Sequence, residues 1–268
     1  MYPYIDLFGR QISTYALLVI AGLLTCGFVA SFLGKKRGVE YESVIFMILS
    51  VSLGMFIGAH IVFAFTNMPQ IIELFSKIGS ISAGDFFTAL GAYVGGMVFY
   101  GGFLGAVAAV AIYSKFSKVV ARPVAMDLLS ICIPLFHIFG RVGCFLTGCC
   151  YGFESESGLP THHYIGEEVY IVNRFPVQLV EAAGNLLIFF IIMYLYRKDK
   201  FNGKLLPVYI VMYAPMRFVL EFFRGDTIRG FIFGLSTSQF ISVILLGIVI
   251  AYCACKLIIK KTKKEKTV

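Results

Sequence analysis

Four ionisable side chains interrupt otherwise apolar stretches of this chain: Arg141, Glu181, Arg217 and Glu221. An ion inside a membrane-spanning segment costs about 2.5–3.5 kcal/mol on insertion scales, and such residues face a partner or a water-filled cavity. Arg217 and Glu221 stand four apart, on one face of a helix, where they can pair. Alone, that pair does no more than make insertion tolerable. Adding Arg141 gives a group suited to an anion, because guanidinium grips phosphate with a planar fork of donors. Arg224 and Arg229 would add positive charge at the rim. His137 lies one helical turn before Arg141 on a similar face, and reads either as a proton acceptor or as a satisfied core histidine.

Two glycine-rich stretches lie beside these charges. Gly95 to Gly105 contains five glycines around Tyr100. Close packing of helices explains them first. The functional alternative is an irregular turn that exposes backbone N–H groups, which membranes tolerate only in a cavity, with Tyr100 projecting its hydroxyl there. Gly140 to Gly152 carries Arg141, Gly143, Cys144, Gly148, Cys149, Cys150 and Gly152. So many glycines make a continuous helix costly, so an unwound or re-entrant segment is expected. Its three cysteines read as small thiols packing a tight turn. A zinc site would normally show paired C-x-x-C spacing, which is missing, so no metal is expected. A disulfide or a covalent role for Cys149 or Cys150 remains as an alternative reading.

The elements that must position these residues follow from composition. The chain has 268 residues, 59% hydrophobic and 14% charged, against about 45–50% and about 25% in soluble domains. One soluble core cannot bury that excess, so the bilayer is its solvent. Trp is absent, so Phe and Tyr must furnish any interfacial belt. The net charge of +8 does not point to nucleic acid, because the basic residues lie between apolar spans and in the tail.

Seven segments reach the length of about 20 apolar residues that a crossing needs: 13–34, 43–66, 87–114, 125–147, 176–196, 205–223 and 236–259. The expected fold is therefore an all-α polytopic membrane protein of seven helices, one transmembrane domain over 1–268. Most Lys and Arg side chains follow the first, third, fifth and last spans, ending in the basic tail 256–268. The positive-inside rule makes that side cytoplasmic, with the N-terminus outside and 148–175 an extracytoplasmic loop region. Arg141, Glu181, Arg217 and Glu221 then share a depth near the outer face, in one polar pocket. Residues 69–78 suit a short interfacial helix. No cleaved leader is expected, since the first span runs on into Lys35-Lys36-Arg37.

The sequence resembles the bacterial phosphatidylglycerol–prolipoprotein diacylglyceryl transferase family over nearly its whole length. Arg217-Phe218-Val219-Leu220-Glu221-Phe222-Phe223-Arg224 fits a family segment that pairs Arg with Glu four later and closes on Phe-Arg. Pro176-Val177-Gln178-Leu179-Val180-Glu181 matches Pro-x-Gln-Leu-x-Glu, and Tyr15 matches the first-span Tyr. The family signature falls on Arg141, Gly143, Cys144, Phe145, Thr147, Cys149 and Gly152. This chain has Cys144 and Thr147 for two asparagines, Cys149 for a glutamate, Tyr100 for a histidine and His60 for an arginine.

The resemblance implies seven spans in the plasma membrane and transfer of diacylglyceryl from phosphatidylglycerol to the lipobox cysteine of a prolipoprotein, without a cofactor. It implies catalytic roles for Tyr100, Arg141, Arg217 and Glu221. Substrate contacts would come from Tyr15, Gly101, Gly102, Gly143, Cys144, Cys149, Gly152, Glu181 and Arg224. The alternatives are a lipid-binding relative with another acceptor and a transporter-like carrier; no inverted repeat supports the latter.

Overall fold

The computed structural model describes residues 2–7, 9–117, 119–165, 168–226 and 231–265. In chain order, the short strands β1 (Tyr4–Leu7) and β2 (Arg10–Ser13) lead into α1 (Thr14–Lys35), α2 (Tyr41–Thr66), α3 (Met68–Ser76), α4 (Ala83–Val94), α5 (Phe99–Phe116) and α6 (Arg122–Thr147). The strands β3 (Glu154–Ile165) and β4 (Glu168–Arg174) follow, then α7 (Val177–Arg197), α8 (Leu205–Leu220) and a 3-10 turn at Glu221–Phe223. The short β5 (Phe231–Ile232) and β6 (Leu235–Ser236) precede α9 (Thr237–Glu265). Each consecutive strand pair is an antiparallel two-stranded ribbon. The chain divides into two compact units, one of Met1–Val29 with Ser130–Val268 and one of Ala30–Leu129.

Among the described residues, six helices are long and apolar enough to cross a membrane: Thr14–Lys35, Tyr41–Thr66, Arg122–Thr147, Val177–Arg197, Leu205–Phe223 and Thr237–Lys256. A helix satisfies its own backbone polar groups, which hydrocarbon requires. The molecule is thus mostly helical and multi-pass. The continuous third span expected over 87–114 is not formed. The chain breaks between α4 and α5, at Gly95–Val98. Gly95 closes α4 by donating to the Gly91 carbonyl at 2.7 Å, and the Val98 N–H donates to the Ala59 carbonyl at 3.2 Å. The neighbouring helix α2 thus takes up a backbone group freed by the break. A side chain at Gly96 would strike the ring of Phe63.

In the second unit, α2 and α5 meet backbone to backbone. A Cβ at Gly101 would collide with the Gly58 carbonyl oxygen, and one at Gly105 with that of Gly54. Gly102 faces Met55 at 3.0 Å. These are small residues spaced four apart on both helices, the pattern that permits close approach. Gly101 and Gly102 therefore serve packing first, as the glycine spacing suggests. Tyr100, next to Gly101, is the second residue of α5.

In the first unit, α6 stays helical through Gly140 and Gly143 and ends only at Thr147. The expected unwinding over Gly140 to Gly152 is thus confined to its last five residues. The reason lies in the neighbour: Gly143 carries no side chain because Tyr15 of α1 occupies that space, 2.8 Å from where a Cβ would stand. Gly22 is similarly filled by Phe136 and Phe139. The region 148–175 departs from a plain loop as well, since β3 and β4 form a hairpin with a register shift between Glu154 and Leu159. The short helix expected over 69–78 is α3.

Candidate active site

The four intramembrane ions of the sequence converge in the first unit. Glu181, on α7, is almost fully buried and takes Arg141 Nε of α6 at 3.0 Å on Oε2. The same oxygen lies 3.9 Å from Arg217 Nη1 of α8. Oε1 accepts the Tyr213 hydroxyl at 3.0 Å. Arg217 Nη2 pairs with Glu221 Oε2 at 2.8 Å, as the four-residue spacing predicts, although Glu221 itself sits in the 3-10 turn. Arg217 Nη2 also donates to Ser238 Oγ at 3.0 Å. The formal charges of the quartet cancel, which makes burial tolerable.

The two arginines are nevertheless unlike. The Arg217 side chain is 4% exposed; its Nη2 pairs with Glu221 at 2.8 Å, while its Nη1 stays 3.9 Å from Glu181 without a hydrogen bond. The Arg141 side chain is 14% exposed, and it meets Glu181 through Nε. Sequence spacing offers both arginines to an anion. The geometry leaves Arg141 the more exposed of the two and buries Arg217 between Glu181 and Glu221.

His137 packs between two tyrosines. Its Nδ1 lies 3.4 Å from the Tyr209 hydroxyl, and its ring lies 5.0 Å from that of Tyr213 at a tilt of 35°. Tyr209 and Tyr213 stack on each other at 5.3 Å. Asn185, one turn after Glu181, donates Nδ2 to the Glu181 carbonyl.

Beyond α6 the chain turns sharply. Gly148 and Cys150 both adopt left-handed backbone, with φ of 77° and 56°. The Cys149 N–H donates to the Cys144 carbonyl at 3.0 Å, and Gln178 Nε2 reaches the Cys149 carbonyl at 2.8 Å. The turn folds Cys149 and Cys150 back onto Cys144, and the three Sγ atoms lie within 4.8 Å of one another. Hydrogen bonds from the Cys144 and Cys149 thiols pull the Cys150 thiol far below its ordinary value, against the effect of burial and with help from the charges of Arg224 and Arg141. Tyr15 of α1 borders the same region, its ring filling the space at Gly143.

Gly152 sits where three segments cross. It bridges to Arg224, and a Cβ there would collide with the Phe175 carbonyl oxygen. Phe153 N–H donates to the Phe223 carbonyl at 3.1 Å, and Phe175 N–H to the Phe153 carbonyl at 2.9 Å. The rings of Phe153, Phe175 and Phe223 close the crossing. The clamp joins the cysteine turn to the segments that carry Glu181 and Glu221. Arg224, expected to add positive charge at the rim, donates Nε to Asp226 Oδ1 at 3.0 Å and Nη2 to Oδ2, so a carboxylate occupies its fork. Arg229 lies outside the described residues.

Sequence reasoning missed Tyr213, Gln178, Ser238 and Asp226. Tyr213 precedes Arg217 by four residues, so helical spacing was a usable signal. Gln178 lies within the Pro176–Glu181 motif. Ser238 carries no such mark, because only the return of α9 brings it to Arg217.

Known proteins match this sequence along almost the entire chain. The family model described as prolipoprotein diacylglyceryl transferase matches residues 4–255. The phosphatidylglycerol–prolipoprotein diacylglyceryl transferase of Clostridium tetani is 28% identical over 251 residues, covering 91% of this chain and 93% of the relative. That of Campylobacter curvus is 32% identical over 264 residues, covering 92% and 90%. The protein of Clostridium perfringens named phosphatidylglycerol–prolipoprotein diacylglyceryl transferase 2 is 28% identical over 270 residues, covering 97% and 98%.

Proposed function

The chain belongs to the prolipoprotein diacylglyceryl transferase family, and from that premise we propose that it moves a diacylglyceryl group from phosphatidylglycerol to the lipobox cysteine of a prolipoprotein, in a bacterial plasma membrane. The observation that carries the reading is the partly exposed guanidinium of Arg141, paired through Nε with the buried Glu181. In the reaction the acceptor sulfur bonds to the glyceryl carbon, and the bond from that carbon to the phosphodiester oxygen breaks. Glycerol phosphate leaves with the electron pair, and the thiol proton passes to a base. Negative charge therefore grows on the phosphate, where donors fixed in advance in a water-poor site are worth most. Arg141 donates to that phosphate. Glu181, Arg217, Glu221 and Tyr213 act as positioning residues for it. Tyr15, against Gly143, borders the same place. Tyr100 stands where the family carries histidine, and a hydrogen-bonding role toward the lipid head group is proposed for it.

The proposed topology has seven crossings. Six are the long helices. The remaining one is α5, whose 18 residues extend about 27 Å at about 1.5 Å per residue, close to the hydrocarbon thickness of about 30 Å. The basic residues after α1, α5 and α7 and in the tail then share the cytoplasmic side, and the N-terminus lies outside. A green fluorescent protein fused at the C-terminus is expected to fluoresce, and alkaline phosphatase fused there to be inactive. The reverse pair of results would refute the orientation.

The activity itself is tested with purified chain in detergent, labelled phosphatidylglycerol and a lipobox peptide. Label is expected on the peptide thiol, with glycerol phosphate released in equal amount. Bound lipid without transfer would sink the transferase reading and favour a lipid-binding relative.

A further inference from the structure

We infer that Cys144, Cys149 and Cys150 form a three-thiolate site for a soft monovalent d10 cation, of which copper(I) is the biological representative. The three Sγ atoms lie within 4.8 Å of one another. Thiolates bind such metals at about 2.3 Å, which puts the sulfurs of a trigonal site roughly 4.0 Å apart. The cluster therefore needs to close by less than about 1 Å, which small χ1 rotations provide. The C-x4-C-C spacing speaks against a metal only while the chain is imagined extended. The left-handed residues Gly148 and Cys150 fold it back, and the Cys149 N–H bond to the Cys144 carbonyl fixes the return.

The number of ligands selects the class of ion. Among the described residues no histidine, carboxylate or fourth cysteine joins the group. Structural zinc takes four protein ligands, and a zinc held by three keeps a water as its fourth. Soft thiolates favour copper(I), which accepts three. Charge is accommodated as well. Three thiolates with one monovalent cation carry a net −2, and the charges of Arg224 and Arg141 both reach Cys150. The remaining cysteines are elsewhere: Cys26 lies beside Cys132, donating to its carbonyl at 3.4 Å, and Cys253 and Cys255 are exposed on α9.

The test uses the full chain purified in detergent, with its thiols reduced and counted, and copper(I) supplied as its coloured bicinchoninate complex. The protein is expected to withdraw one equivalent, and X-ray absorption at the copper edge to report three sulfur neighbours. Serine at Cys144, Cys149 or Cys150 is expected to weaken binding by more than the roughly 10–100-fold that outer-shell partners are worth. Serine at both Cys253 and Cys255 is expected to leave it intact. Failure of the fully reduced protein to withdraw copper would overturn the inference. So would equal withdrawal by the triple serine variant, or a four-coordinate copper centre. If a serine variant misfolds, the neighbour count on the unmodified chain still decides. No lipid donor enters the measurement, so its outcome stands apart from the transfer reaction.

Discussion

Arg141→Ala is expected to lower kcat for diacylglyceryl transfer by about 100–1,000-fold, the loss found when one preorganised donor to a developing negative charge is removed. The effect should fall on kcat more than on KM, because charge on the phosphate grows only as the carbon–oxygen bond breaks. The protein itself should survive. Glu181 keeps the Tyr213 hydroxyl at 3.0 Å and Arg217 Nη1 at 3.9 Å when Arg141 is gone. Arg141→Lys separates charge from geometry. It restores a cation but cannot span two phosphate oxygens with a planar fork, so it should recover only part of the rate. Transfer kinetics with labelled phosphatidylglycerol, normalised to protein that elutes as a single species, decide the matter. An alanine variant that turns over at the unmodified rate would remove Arg141 from the reaction.

Much of this quartet is legible in the order of residues alone. The four-residue spacing of Arg217 and Glu221 states their pairing, because it reflects helix geometry alone. Glu181 joins them through the rule that intramembrane ions seek partners. The ranking of the two arginines is not legible, since it depends on which nitrogen meets Glu181 and on Ser238 arriving from a distant helix. The same limit explains the broken third span. A hydropathy window over 87–114 averages apolar residues and glycines into one crossing. Whether glycine bends or packs is decided by the neighbour, here Phe63 at Gly96 and the α2 backbone at Gly101 and Gly105. Conversely, Gly140 and Gly143 suggest unwinding on propensity, yet a helix in hydrocarbon has no water to receive freed backbone groups, and Tyr15 fills the space at Gly143. The hairpin of β3 and β4 lacks the long apolar run that makes spans conspicuous. The thiol cluster is invisible in C-x4-C-C because it is a product of two left-handed residues.

Glu181→Ala should have the largest effect on stability. The side chain is 2% exposed and serves two guanidinium groups and one phenol. Alanine leaves Arg141 Nε without its anion in a buried site, and leaves Arg217 with Glu221 as its carboxylate. Breaking a buried pair by deleting one partner costs about 3–5 kcal/mol, because the surviving charge has lost its compensation and cannot regain water. Glu181→Gln should cost less, since the amide oxygen still accepts from Tyr213 while the anion is lost. Glu221→Ala should also cost less, because Arg217 retains both Glu181 and Ser238. The order is therefore Glu181→Ala worst, with Glu181→Gln and Glu221→Ala milder. Denaturant titration in mixed micelles, comparing midpoints at unchanged slope, measures it. Should Glu221→Ala prove the more damaging, the weight of the network would rest on the Arg217–Glu221 pair, and Glu181 would be a satellite of it. If Glu181→Ala were as stable as the parent, the two arginines would have to reach water in the folded state. The site would then be an open, hydrated one in which no preorganised phosphate donor is held.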